Sequence, residues 1–384
     1  MAVYTQVSDE ALETFLDGYD IGRPRSFKGI AEGVENSNYY LETGKGRFIL
    51  TLFERRADPK DLPYFVALKQ HLADRDFPCP APVPARSGEA LQTLEGRPAL
   101  VVTFLDGLSP RRPNAAQCRS MGAALARMHA ALSDFDQVRD NALGPASWPL
   151  LWEGRAATAE ELQPGLAALI EDDLAATVSA RPQSPHLPRG TIHADLFPDN
   201  AFFLEEDFSG AIDFYFACTD VLAYDIAVCL NSWAFEDGRE YNYSKGAAML
   251  AGYESVRPLE PAEREALPIL CRGAALRFFL TRLVDWTETP ADALVRPKNP
   301  LEYADRLASI FGSEFGIKRL ALGRPTPGGT EDWITHDCST LPGSSGSVIW
   351  DATQGAAAGL HFAGTAFTNN FAVPARKLRG IMGE

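Results

Sequence analysis

The stretch Thr191-Ile192-His193-Ala194-Asp195-Leu196-Phe197-Pro198-Asp199-Asn200, followed by Ile212-Asp213-Phe214, holds oxygen-bearing side chains at intervals that could serve phosphoryl transfer. That reaction asks little covalent chemistry of a protein. It needs a carboxylate to orient the attacking hydroxyl and hard oxygen ligands for Mg²⁺ on the nucleotide side, because positioning and charge stabilisation supply most of the rate. Asp195 can be the first; Asn200 and Asp213 can be the second. Taken singly, each residue has a plainer reading, His193 as a buried hydrogen-bonded histidine that orients the loop, Asp195 and Asn200 as ordinary turn residues. The full spacing, lying between two strand-like segments, is what a chance turn does not explain.

In protein kinases the corresponding loop reads His-Arg-Asp-Leu-x-x-x-Asn, and the metal-binding Asp opens a later Asp-Phe-Gly. Here Asp195 and Asn200 keep that step, while Ala194 stands in place of Arg and Tyr215 in place of Gly. An Arg at that position serves a phosphorylated activation loop, so its absence suits a kinase acting on a small molecule.

The elements that must position these residues fall into two textures and a tail. Residues 8–21 pattern as an amphipathic helix capped by Ser8, with Leu12, Phe15 and Leu16 on one face. Residues 38–43 and 47–53 read as two strands around a Gly44-Lys45-Gly46 turn, a hairpin rather than a phosphate cradle. A helix over 62–74, an extended Pro78–Pro84 connection and a strand ending near Leu105 complete a β-rich lobe, 1–105. Helical spacing then dominates 106–320, with helices over 115–132, 157–180, 221–234, 243–254, 261–286 and 301–311. Beyond a Gly- and Pro-rich linker at 323–329, residues 321–384 change to short β-prone segments such as 348–350 and 358–362. The expected class is α+β.

Bulk properties narrow the partners. A net charge of −15 opposes general binding to nucleic acid or anionic membranes, yet leaves ATP binding open through Mg²⁺ and backbone donors. No window offers the ~20 apolar residues of a membrane-spanning helix, and the N-terminal residues lack the layout of a signal peptide. Six cysteines without a Cys-x-x-Cys pair predict reduced thiols and a cytoplasmic setting. Oligomeric state is left open.

The run from Ile192 to Trp233, together with residues 27–39 and 276–286, closely resembles bacterial homoserine kinases of the aminoglycoside-phosphotransferase-like type. The resemblance spans about residues 1–312. It implies a bilobal protein-kinase-like fold with a β-rich N-lobe and a helical C-lobe. It also implies ATP- and Mg²⁺-dependent phosphorylation of the L-homoserine hydroxyl, a step of threonine biosynthesis. Asp195 would be catalytic, His193 would support the loop, and Asn200 and Asp213 would face the metal. Kinases of the same fold acting on choline, a sugar or an aminoglycoside share such catalytic residues, and a nucleotide-binding scaffold without turnover is a further alternative.

The nucleotide end departs from the kinase pattern. Residues 33–38 occupy the place of the nucleotide loop, with Ser37 and Asn38 as candidate ATP-binding residues against a plain turn. Thr51 stands where the strand lysine is expected, and Lys28 is a conceivable substitute whose default reading is a solvated surface residue. Residues 99–105 leading into Asp106 fit the inter-lobe hinge, whose backbone would hydrogen-bond adenine. For the acceptor carboxylate, Arg277 and Arg282 are the candidates, against helix-surface salt bridging. Asp225 reads as a loop-supporting carboxylate and His129 as packing.

In the tail, residues 337–347, 359–364 and 370–374 resemble the C-terminal fragment of trypsin-like bacterial proteases. The match makes Ser345 a vestigial nucleophile. A serine nucleophile needs a histidine base oriented by a carboxylate, and that family's base precedes the serine by a long stretch, where this chain has the kinase pattern. The tail is therefore expected to be inactive; a serine-protease fusion is the rival reading.

Overall fold

The computed structural model describes residues 4–30, 36–54, 58–180, 187–237, 240–290 and 296–311, together with five tail strands between 325 and 374. Helix α1 (Asp9–Leu16) is capped as expected, Ser8 Oγ accepting the N–H of Ala11 at 3.2 Å, and it ends five residues earlier than the pattern suggested. It packs on an antiparallel sheet of β1 (Pro24–Gly29), β2 (Asn36–Thr43), β3 (Gly46–Phe53), β4 (Leu91–Leu94) and β5 (Arg97–Thr103), in the order β1-β2-β3-β5-β4. The β2–β3 hairpin turns at Gly44 and pairs Asn38 with Thr51. Alternation along β3 and β5 splits their side chains between two cores. Leu50, Leu52, Ala99 and Val101 face Leu12 and Leu16, while Phe53, Leu100 and Val102 face α2 (Leu62–Ala73) and the second lobe.

The second lobe is helical: α3 (Ala115–Ala131), α4 (Trp148–Trp152), α5 (Ala156–Leu162), α6 (Leu166–Ala180), α7 (Leu222–Trp233), α8 (Tyr243–Glu254), α9 (Pro261–Glu288) and α10 (Leu301–Phe311). The single helix expected over 157–180 is two, broken at Gln163–Gly165, where proline precedes a glycine with φ of +84°. Helices α3 and α8 cross so closely that a Cβ on Gly122 would overlap the carbonyl of Met249, and one on Gly252 that of Arg119. Helix α7 is buried nearly all round, as a central helix must be.

Four short strands, β6 (Arg189–Ile192), β7 (Ala201–Leu204), β8 (Asp207–Ala211) and β9 (Cys218–Val221), form two antiparallel pairs, β6–β9 and β7–β8, that carry the catalytic segment. The chain enters this lobe through Gly107, whose φ of +136° and contact with Phe203 O and Ser209 leave no room for a side chain. Leu108 then exchanges both backbone hydrogen bonds with Phe203 of β7. The minor pair β10 (Phe235–Glu236) and β11 (Glu240–Tyr241) follows α7. In the tail, β12 (Pro325–Thr326), β13 (Ile334–His336), β14 (Val348–Asp351), β15 (Ala356–Gly364) and β16 (Asn370–Pro374) form an antiparallel sheet ordered β12-β13-β16-β15-β14. The β-prone tail segments are thus strands, whereas Ser345 lies outside the described residues. The five described cysteines are free and buried.

Candidate active site

Strand β6 ends at Ile192 and delivers His193, Ala194 and Asp195 into a turn with Ala194 at φ +63°. Asp213, past the end of β8, is also left-handed at φ +62°. Such backbone in non-glycine residues costs on the order of 1–3 kcal/mol each and persists only where its surroundings dictate it. The restraint on the first turn is Asp225 of α7. Its carboxylate accepts the backbone N–H groups of His193 and Ala194, each at 2.8 Å, and faces His129 Nε2 at 3.2 Å. Burial alone would raise the Asp225 carboxyl, but the hydrogen bond from His129 and the backbone N–H of His193 hold it below its ordinary value.

A chain of donors stands behind that carboxylate. A carboxylate only accepts, so His129 Nε2 donates to it and Nδ1 accepts from Tyr253 Oη at 2.8 Å. Tyr253 Oη in turn receives Arg257 at 3.1 Å, and Arg257 is fixed bidentately by the buried Glu263 at 3.0 and 3.1 Å. His129 is therefore more than packing. Nothing local in the sequence announces this relay, since His129 and Asp225 are 96 residues apart.

His193 ties the two catalytic segments together. Its Nε2 lies 2.9 Å from Ile212 O, which can only accept, so Nε2 carries the proton and Nδ1 receives the N–H of Asp195 at 3.3 Å. Both bonds suit a neutral ring, and burial lowers the His193 pKa accordingly. The residue before Asp213 is thus clamped to the residue before Ala194.

Asp195 faces Arg277 of α9 at 3.4 Å from Oδ1, and the same nitrogen reaches Ala194 O at 3.3 Å. The Arg277 guanidinium is sandwiched by Phe278 at 3.9 Å and Phe216 at 5.2 Å from the ring centroids. Burial pushes the Asp195 carboxyl up to about 7; Arg277 and, further out, Lys298 oppose the rise, and the charge of Asp213 adds to it. Asn200 Nδ2 donates to Asp195 O at 2.8 Å and Oδ2 at 3.3 Å, which leaves its Oδ1 as the atom for a cation. With the Asp213 carboxylate, that makes two hard oxygen donors. Such a set fits Mg²⁺, which takes one or two protein oxygens and draws its other ligands from phosphate and water. Among the described residues, no cluster of three or more His, Cys, Asp or Glu side chains forms a metal cage of its own.

Other expected residues are placed differently. Arg282 does not join Asp195: five residues along α9 from Arg277, it points about 140° away around the helix and binds Glu302 at 2.6 Å and Asn299 O at 3.2 Å. Ser37 is fully buried in β2, its hydroxyl accepting from the N–H groups of Tyr4 and Thr5 and donating to Glu54 at 2.6 Å. It is not open to a phosphate. Asn38 Oδ1 accepts from Thr51 Oγ1 at 2.8 Å, so the threonine in the lysine's place closes on the sheet. Lys28 is exposed on edge strand β1, and residues 33–35 of the supposed nucleotide loop lie outside the described residues.

A β-sheet lobe joined to a helical lobe, with Asp195, Asn200 and Asp213 held at the join, has the layout of a kinase. Residues 26–259 match the phosphotransferase enzyme family, and the chain belongs to that family. The fold agrees: spectinomycin phosphotransferase, solved with ADP and spectinomycin, superposes with a TM-score of 0.60 at 12% identity, over 80% of this chain and 95% of that one. Within the family the chain groups with the homoserine kinases. It is 69% identical over 315 residues to the homoserine kinase of Hyphomonas neptunium and 58% identical over 307 residues to that of Acidiphilium cryptum, in each case over 80% of this chain and 96% of the relative.

Proposed function

We propose that the chain phosphorylates the hydroxyl of L-homoserine with ATP, giving O-phospho-L-homoserine and ADP in threonine biosynthesis, with Asp195 as the residue that accepts the hydroxyl proton. The acceptor oxygen forms a bond to the γ-phosphorus, the bond from that phosphorus to the β,γ-bridging oxygen breaks, and ADP departs. Asp195 orients the hydroxyl and takes its proton as the new bond forms. Asn200 and Asp213 would hold Mg²⁺, which supplies charge neutralisation at the phosphates when bound. Arg277 is the proposed partner of the substrate carboxylate. It keeps N–H groups beyond the one turned to Asp195, and α9 sets it beside the reacting group. Residues 1–105 would bind the nucleotide, with the backbone near Gly107 against adenine, and 106–320 would bind the acceptor.

Similarity to homoserine kinases over nearly their whole length carries the choice of acceptor, since Asp195 and its neighbours serve the phosphate and not the alcohol's identity. Among the described residues no helix is long and apolar enough to cross a membrane, and the proposed setting is the cytoplasm. The test is ADP release from purified protein, ATP and Mg²⁺ with homoserine, choline, a sugar and an aminoglycoside. Homoserine should give the largest kcat/KM; an equal or larger value for another acceptor overturns the assignment.

A further inference from the structure

The nucleotide phosphates of a kinase need a positive charge besides the metal, and the strand position where that lysine is expected holds Thr51, bonded to Asn38. Among the described residues, a lysine from another element stands close by. Lys69, in the third turn of α2, is only 6% exposed, and among the described residues its ammonium makes no hydrogen bond or ion pair. It sits 5.7 Å from the ring centroid of Tyr215, two residues after Asp213, and the Asp213 charge raises its pKa. Its helix face is fixed: Phe65, one turn earlier, meets the same Tyr215 ring at 5.4 Å, Phe53 at the end of β3 meets that ring at 5.6 Å, and Cys79 Sγ donates to Lys69 O.

We propose that Lys69 is the residue that supplies the positive charge to the nucleotide phosphates in this chain, a lysine delivered from α2 instead of from β3. Burying an ammonium is unfavourable, and the Asp213 charge that reaches Lys69 offsets only part of that cost, since the Lys69 pKa stays below its ordinary value. A polyphosphate beside Asp213 would add the further negative charge. Helix α2 runs directly after β3, so a lysine on its inward face reaches the region that a β3 lysine would reach, from the other side. Burial pulls the Lys69 pKa down to about 8, with the Asp213 charge opposing, so the group stays mostly protonated at neutral pH.

The proposal rests on reading Asp213 as the metal-side residue, and the experiment separates the two. Binding of ADP and of adenosine is measured calorimetrically on the full chain, without turnover, in the presence and absence of Mg²⁺. Lys69→Met should weaken ADP by on the order of 10- to 100-fold, the usual worth of a hydrogen bond to a charged group, and leave adenosine unchanged. Its melting temperature should equal or exceed that of the wild type, because methionine fills similar volume without the buried charge. Unchanged ADP affinity overturns the proposal. So does parallel loss of ADP and adenosine binding, or failure of the variant to fold, since each makes the lysine structural. Asp213→Asn tests the other reading: it should remove the Mg²⁺ dependence of ADP binding, and if that dependence survives, the metal assignment fails independently of the Lys69 result.

Discussion

As the proposed proton acceptor, Asp195 must be ionised to act, and burial pushes its carboxyl up to about 7. As pH falls through that value the ionised fraction drops, so kcat/KM should fall on the acid side, with the limb at or below 7 because bound Mg²⁺ favours the anion. Arg277 lowers this pKa, so Arg277→Met should move the limb to higher pH in the same profile. Asp195→Asn should lose about 10²–10⁴ in kcat while ADP binding is retained. A carboxyl raised on folding binds its proton more tightly in the folded state. Its ionised form therefore costs stability above pH 7, and that cost is relieved as pH falls toward the ordinary carboxylate range. Asp195→Asn should accordingly melt no lower than the wild type at pH 8. Arg277→Ala should raise the homoserine KM by an amount on the order of 2–5 kcal/mol, whereas Arg282→Ala should leave KM unchanged and show its loss of the Glu302 pair and of stacking on Tyr303 only as a lower melting temperature. Equal KM effects in the two variants would remove Arg277 from the acceptor site.

At the scale of elements, the proposed catalytic turn has left-handed backbone at Ala194 and is held by a carboxylate from α7. Asp225 sits on α7, receives two N–H groups of the β6–β7 connection and is itself fixed from α3 and α8 through His129 and Tyr253. Asp225→Ala would strand three buried donors, and unfolding in urea should show a loss of about 3–5 kcal/mol. Asp225→Asn keeps the shape and one acceptor, so it should fold better than the alanine variant yet lower kcat, because only one of the two N–H groups can be held well. A normal kcat in a folded Asp225→Ala chain would mean that the turn holds itself. The helix pattern of the sequence placed α7 and α9 within a residue or two, but which of their polar residues face the turn depends on how α3, α7 and α8 cross.

For the whole molecule, the kinase portion and the tail separate cleanly in composition and in similarity, the relatives matching 80% of this chain and 96% of themselves. The family match covers residues 26–259 and lends no support to the protease-like reading of the tail, in which Ser345 would take a nucleophile's place without a base. Among the histidines whose side chains are described, His129 and His193 bond around the Ala194 turn and His71 bonds Asp134 and Ala131 O. A fluorophosphonate probe should leave Ser345 unlabelled, and a chain ending near residue 320 should keep its kinase activity. Stoichiometric labelling of Ser345 overturns the first expectation, and failure of the shortened chain to fold overturns the second.

What the sequence determined by itself was whatever is encoded over short distances. The Asp195-to-Asn200 step and Asp213 were legible because phosphoryl transfer demands those residue types at loop-scale spacing. The β2–β3 hairpin, Ser8 as a cap and most helix bounds were legible because capping, turn chemistry and periodicity act within a few residues. Only the tertiary structure set Arg277 against Asp195 and Arg282 against Glu302, closed Ser37 onto the N-terminal segment, turned Thr51 onto Asn38, and brought Lys69 beside Tyr215. Each of those outcomes depends on partners 13 to 146 residues away in the chain, as do the links from Asp225 to His129 and from Arg277 to Asp195. A side chain's chemistry is fixed by its type, but the groups it meets are set by how distant elements pack.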